Sequence, residues 1–248
     1  MLYIVGSPIG NLRDISLRAL EVLRQVNRIA AEDTRRIRIL LNHYEIEKPL
    51  LSYHEFNEAK RAAEIIQYLE QGESIALVSD AGMPTISDPG FRLISRCQQN
   101  QIPFTVIPGP SAVTTALVGS GLPTDRFYYG GFLPNKSGRR ERELRAALQR
   151  ECSSIYFESP YRLLKTLDAL NSIEPTSQIC VARELTKHFE EFRRGTVSEV
   201  REHFATHTPK GEITLIIAPA DKKERERAGA TESAANAEDE PEHEESDR

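Results

Sequence analysis

Short apolar runs alternate along this chain with amphipathic stretches, and most of the runs end in a loop rich in glycine or proline. Leu2–Val5 runs into Gly6, after which Leu17, Leu20, Val22 and Leu23 recur at helical spacing. Asn57 can cap a helix whose Ala59, Ala62, Ala63, Ile65, Ile66 and Leu69 share one face. Gly72 closes that helix before the continuous apolar run Ile75–Val78. Asp88 and Pro89 read as the N-cap and first residue of a helix running towards Asn100, and Ser111 reads as the cap of the helix that follows Phe104–Ile107. Strands that are apolar throughout and alternate with helices demand a mostly parallel sheet covered on both faces.

The turn-rich segment SGLPTD at residues 120–125 ends this series, so one lobe is expected over residues 1–121 and a second over 122–220. Strands are expected at Phe127–Phe132 and near residues 154–157, 179–182 and 213–217. Helices are expected over residues 140–149 and from Ser159 and Pro160 onward, which makes the second lobe mixed α/β. From residue 221 the composition turns charged and alanine-rich, with too little apolar surface to offset chain entropy, so residues 221–248 are expected to be a disordered acidic tail.

That tail explains the net charge. It holds 11 acidic and 5 basic residues of a chain whose formal charge is -5, which leaves the rest with 27 Lys and Arg against 26 Asp and Glu. A polyanionic partner would have to be held by local clusters, at Arg35, Arg36 and Arg38, at Lys136, Arg139, Arg140, Arg142 and Arg145, or at Arg193 and Arg194. The three cysteines, Cys97, Cys152 and Cys180, form no CxxC pair. Together with the absence of an export signal or a long apolar span, they point to a reducing cytoplasm, with neither a membrane nor a metal as partner. His203 and His207 stand four residues apart with no third ligand or HExxH pattern beside them, and read as a helix face.

Open α/β sheets place ligands at the carboxyl ends of their strands. Four loops hold that position, at residues 6–11, 79–90, 108–112 and 183–187. The first lacks both GxGxxG and the lysine of a P-loop, so no pyrophosphate cradle of either kind is expected. A cofactor without phosphates, S-adenosylmethionine, suits loops that offer an acceptor such as Asp80 and closely approaching backbone.

Beyond these local signals, the runs GSPIGNLRDIS, EDTR (32–35), LSYHEFNE (51–58), VSDAGMPTISDPG, VIPGPSA, SGLP, GFLPNK, FESPYR and RELTKHFEE follow one another in order. In this the chain resembles the small-subunit ribosomal RNA methyltransferase I family of the tetrapyrrole methylases. The resemblance implies an α/β fold of two lobes with S-adenosyl-L-methionine in the cleft between them, a homodimer, and 2′-O-methylation of a cytidine in the decoding region of 16S rRNA. It also implies cofactor positions at Pro8, Asp80, Ala81, Gly82, Ile86, Ser111, Ala112 and Leu185.

For proton removal from the ribose hydroxyl, Lys187 is expected to serve with a pKa lowered by burial and by Arg183, or else His54, with Glu184 beside Lys187. The alternative is that Glu184 and Lys187 form an ion pair at the cleft edge with no catalytic part. Arg35 is expected to hold the adjoining phosphate, and Lys136, Arg139 and Arg140 to contact RNA. Tyr53, His54, Tyr161 and Phe189 could stack on a splayed base or belong to the core. Three rival readings remain: a precorrin-type C-methyltransferase, an RNA-binding assembly factor without catalysis, and a nucleotide-binding oxidoreductase, the last lacking its glycine fingerprint. Truncation after Ala220 is expected to leave the melting temperature within about 1 °C of the full chain, because surface not involved in packing contributes little.

Overall fold

The computed structural model describes residues 1–207 and 209–220, and the expected tail lies outside these described residues. Two five-stranded sheets form the frame. In the first lobe, β1 (Leu2–Val5), β2 (Arg28–Ala31), β3 (Leu50–Ser52), β4 (Ile75–Val78) and β5 (Phe104–Ile107) lie in the order β3-β2-β4-β1-β5, all parallel. The helices α1 (Leu17–Gln25), α2 (Thr34–His43), α3 (Glu58–Glu70) and α4 (Phe91–Gln99) cover the two faces. One face buries Val5, Leu23, Ile37, Leu40 and Val78, and the other buries Leu2, Ile65, Leu77 and Leu93. All four residues of β4 are buried, as a strand sandwiched between helix layers must be.

The second sheet has the order β6-β7-β10-β8-β9, formed by β6 (Phe127–Phe132), β7 (Ser153–Glu158), β8 (Gln178–Arg183), β9 (Glu191–Thr196) and β10 (Ile213–Ile217). Only β6 and β7 pair in parallel, and the other pairings are antiparallel. Helices α6 (Ser137–Gln149), α7 (Pro160–Ile173) and α8 (Val197–Thr206) pack on one face. The opposite face receives α5 (Ala112–Ser120), whose Val113, Ala116 and Leu117 join Ile155, Cys180, Ala182 and Ile216. Thus α5 precedes the connection at residues 121–126 in sequence yet packs on the sheet that follows it.

Some elements differ from what local signals suggested. Asp88 and Pro89 do not open α4: its N-cap is Gly90, at φ 138°, and the helix begins at Phe91. Asn57 stands at the N-cap of α3, but its side-chain carbonyl accepts from the His54 N–H at 2.9 Å instead of capping the helix. Helix α2 is capped by Asp33, whose carboxylate accepts the Arg35 N–H at 2.8 Å, whereas the strands β2, β3 and β9 carry no terminal signature of their own strength. Tertiary contact decides them: Ala30 and Ala31 are small, and β9 exists because it pairs with β8 along six residues.

Sheet order also fixes where loops meet. Because β4, β1 and β5 are neighbours, the loops that leave them are neighbours too, and β2 places the start of α2 beside the β4 loop. The first two loops are bonded in both directions: Ser7 N–H donates to Gly82 at 2.9 Å and Gly82 N–H donates to Ser7 at 3.1 Å. Gly6 and Gly109 pack backbone to backbone, so a Cβ on Gly109 would lie 2.8 Å from the Gly6 Cα. Gly109→Ala is therefore expected to cost about 1–3 kcal/mol in stability, the penalty of overpacking, measurable by denaturant titration.

Candidate active site

A cavity of about 450 Å³ opens between the lobes where these loops converge. That volume suits a small-molecule cofactor. From the first lobe it is lined by Ile9, Glu32, Arg36, the loop residues 80–83 and 86–88, and Ser111, Ala112 and Val113. From the second lobe come Phe132, the segment 157–160, Leu185 and the segment 211–214. These meet because β7 and β8 run antiparallel to β10: Ile213 pairs with both Glu158 and Arg183, which brings two strand ends to one strand start.

Seven of the eight expected cofactor positions line the cavity: Asp80, Ala81, Gly82, Ile86, Ser111, Ala112 and Leu185. Pro8 does not, although its neighbour Ile9 does. The walls contributed by Ile9, Val113 and Leu185 belong to one apolar cluster shared by both lobes. Two helix N-termini open on the cavity, with Ser111 before α5 and Ser159 before α7, and neither serine side chain caps its helix. The hydroxyls of both serines and the N–H groups that open α5 suit a carboxylate or ribose hydroxyls, whereas at α7 Pro160 has no N–H and those of Ser159 and Arg162 are bonded to Glu158 and to the Ser159 carbonyl. These features fit an adenosylmethionine: apolar walls for the base, and donors and acceptors for the ribose and the amino-acid end.

Asp80 has a structural task as well. One carboxylate oxygen accepts the Asp33 N–H at 2.9 Å and the other lies 3.5 Å from Arg36 Nε, which ties the β4 loop to the start of α2. Arg36, and not Arg35, is the arginine of that helix that faces the cavity. Arg35 points to solvent and folds back on the Asp33 carboxylate at 2.7 Å. The Arg35 guanidinium and N–H hold the Asp33 carboxyl well below the usual carboxylate range.

Lys187 is not the base with a lowered pKa that its motif suggested. Burial by itself depresses the ammonium, but hydrogen bonds of 2.9 Å to both Glu184 and Glu212 outweigh it and raise its pKa. Burial would likewise raise Glu184, yet Lys187 and the Glu212 N–H pull it down. The two residues form an ion pair at the cavity edge, and neither is a lining residue. His54 is set back from the cavity, close enough to Glu32 to lower its pKa, with Nδ1 buried and no partner among the described residues.

On the outer surface, Lys136 and Arg139 are exposed, but Arg140 is not available to RNA. It is 8% exposed, with its guanidinium donating to the Asn135 carbonyl. Tyr53 is core, 1% exposed, and donates to Glu58. Tyr161 and Phe189 stand in solvent, as does Phe56, an aromatic that spacing gave no reason to single out.

Sequence reasoning also missed the acidic side of the cavity. Glu32 is pushed up by burial and by Asp80. Asp88 is pushed up to about 7, first by burial and then by Glu32, with the Ser79 hydroxyl opposing. Its loop is held from behind, since Glu58 accepts both the Tyr53 hydroxyl and the Gly90 N–H. Across the cleft, Ser87 and Tyr129 share a hydrogen bond of 2.7 Å. A helix-capping signature at Asp88 concealed its place in the cavity.

A family model for tetrapyrrole (corrin/porphyrin) methylases matches residues 1–201. Ribosomal RNA small subunit methyltransferase I of Thermotoga maritima is 50% identical over 217 residues, covering 87% of this chain and 97% of that protein. The chain belongs to the ribosomal RNA small subunit methyltransferase I family. The Bacillus subtilis relative of the same name is 43% identical over 90% of this chain and 77% of its own length. Two solved structures share the fold of these methyltransferases. A diphthine synthase aligns with a TM-score of 0.68 at 14% identity, over 88% of this chain and 89% of its own. A uroporphyrin-III-C-methyltransferase from Thermus thermophilus aligns with a TM-score of 0.61 at 20% identity, over 88% and 93%. Among the described residues of this methyltransferase, no three His, Cys, Asp or Glu side chains are grouped to hold a metal ion, and no helix is long and apolar enough to cross a membrane.

The raised Asp88 has a consequence for stability. An unfolded Asp ionises near 3.8 and the folded one near 7, so between those values the folded chain keeps a proton that the unfolded chain has lost. Stability therefore falls as pH rises through this window, and the full penalty is present above it. Asp88→Asn is expected to raise the melting temperature at pH 8 by on the order of 2–4 °C, with the gain vanishing near pH 4. Thermal melts at the two pH values check this.

Proposed function

We propose that this enzyme transfers the methyl group of S-adenosyl-L-methionine to the ribose 2′-hydroxyl of a cytidine in the decoding region of 16S rRNA, acting as a homodimer on the small ribosomal subunit. The observation that carries the reading is the convergence on one inter-lobe cavity of seven residues that the motif resemblance marks for the cofactor. When bound, the cofactor supplies an activated methyl group on a sulfonium. The apolar walls at Ile9, Val113 and Leu185 exclude water, Asp80 and Ser111 offer acceptors to ribose hydroxyls, and the N–H groups that open α5 together with the Ser159 hydroxyl offer donors to a carboxylate.

Substrate RNA would approach from the side where Arg36 and the exposed Phe132 line the cavity and Tyr161, next to Pro160 of its wall, is exposed, since aromatic faces stack on unpaired bases. A second copy would cover the apolar residues left open on and near the sheet edges: Phe104 and Val106 of β5, Val118 of α5, and Phe127 and Tyr128 of β6. A C-methylating activity on a tetrapyrrole is the rival within the same fold.

Purified protein, labelled adenosylmethionine and either small subunits or naked rRNA form the test, with methylated riboses mapped afterwards. One labelled 2′-O-methylcytidine is expected, and label in an added tetrapyrrole instead would overturn the reading. Calorimetry on Asp80→Ala is expected to show cofactor affinity reduced by about 1–3 kcal/mol, the cost of unpaired buried hydroxyls.

A further inference from the structure

The 2′-hydroxyl is a weak acid, so the proposed methyl transfer needs a proton acceptor inside the cavity. The titratable groups that line it are Glu32, Arg36, Asp80, Asp88, Glu158 and Glu212. Arg36 is a permanent cation, and Asp80 is paired with Arg36 and bonded to the Asp33 N–H, its remaining lone pairs being those offered to the cofactor ribose. Glu158 is buried and fully engaged by Arg162, Thr166 and the Ser159 N–H. Glu212 holds Lys187. Only Glu32 and Asp88 face the cavity without an ion-pair partner among the described residues.

We infer that Asp88 is the general base of the reaction, its carboxylate receiving the 2′-hydroxyl proton as the methyl group transfers. This rests on the ribose-methylating reading above. The O–H bond breaks towards Asp88, the 2′-oxygen forms the O–CH3 bond, and the electron pair of the broken S–CH3 bond stays on sulfur as a neutral thioether. The proton then leaves Asp88 for solvent.

The groups that face Asp88 explain its choice over Glu32. Glu32 comes from the end of β2, Ser79 and Asp80 from the end of β4, and Tyr129 from β6. The cation Arg36 and the imidazole of His54 act on Glu32 instead, drawing it back towards the charged form. Asp88 is left at about 7, near the pH at which a base is both free to accept and strong enough to do so.

The test uses the full chain with small subunits and saturating adenosylmethionine, with single-turnover rates followed from pH 5.5 to 8.5. The wild-type rate is expected to rise about tenfold per pH unit on its acid side and then level off, with a midpoint below the value of about 7 in the ligand-free protein because the cofactor's sulfonium favours the carboxylate. Asp88→Asn should lower the plateau at least 100-fold and abolish that rise, Asp88→Glu should restore part of it, and cofactor affinity by calorimetry should change less than threefold. Independently of activity, the Asp88 carboxyl carbon should titrate near pH 7 by NMR in the protein alone, with a lower midpoint in Glu32→Gln. An Asn variant with the wild-type rate and pH profile, or one whose whole defect is lost cofactor affinity, overturns the inference while leaving the ribose-methylating reading intact. A wild type that methylates no ribose overturns that reading, and the inference with it.

Discussion

Gly6 and Gly109 meet with no side chain between them, and on that contact the geometry of the cavity depends. It sets the first and third loops side by side, close enough for Ser7 to exchange two backbone hydrogen bonds with Gly82 of the second. Everything the first lobe presents to a ligand hangs from these three loops, with Glu32 and Arg36 added by the neighbouring β2. A sheet in another strand order would carry the same residues and scatter them. The parallel order β3-β2-β4-β1-β5 is what turns four distant segments of sequence into one surface.

Charge is sorted by depth. Exposed cations stand on the outside at Lys136, Arg139 and Arg35, where a phosphate backbone can reach them. The interior is acidic, with Glu32, Asp80 and Asp88 pressing on one another in a partly desolvated space. A polyanion is thus attracted to the rim and repelled by the floor, and only a neutral ribose edge can be brought down to it without charge repulsion. Arg36 stands at the transition, balancing Asp80 without neutralising the whole cluster.

Much of this was legible in the chain itself. Strands β1 and β4 showed as unbroken apolar runs and β5 as a run interrupted by Thr105, and the loops after them showed by their glycines and prolines. Features that depend on partners distant in sequence were not legible. Asp88 beside Pro89 carries a helix-start signature that the three-dimensional structure overrides, because Gly90, anchored on Glu58, takes the capping position. Lys187 looked suited to losing its proton until Glu212, 25 residues away, was seen to hold it. Arg140 belongs to a basic cluster in sequence but turns inward on the helix, towards the Asn135 carbonyl.

The placement of α5 has a meaning for how such a chain can be cut or rebuilt. Covalently the helix ends the first half, yet its apolar residues Val113, Ala116 and Leu117 are buried in the second. Neither half is then a self-sufficient module. A fragment stopping at Gly121 would carry a greasy helix with nothing to lie on, and one starting there would leave a sheet face bare. Two lobes that share an element in this way are inherited, exchanged and engineered as a single piece, and the cleft between them is a seam inside one body.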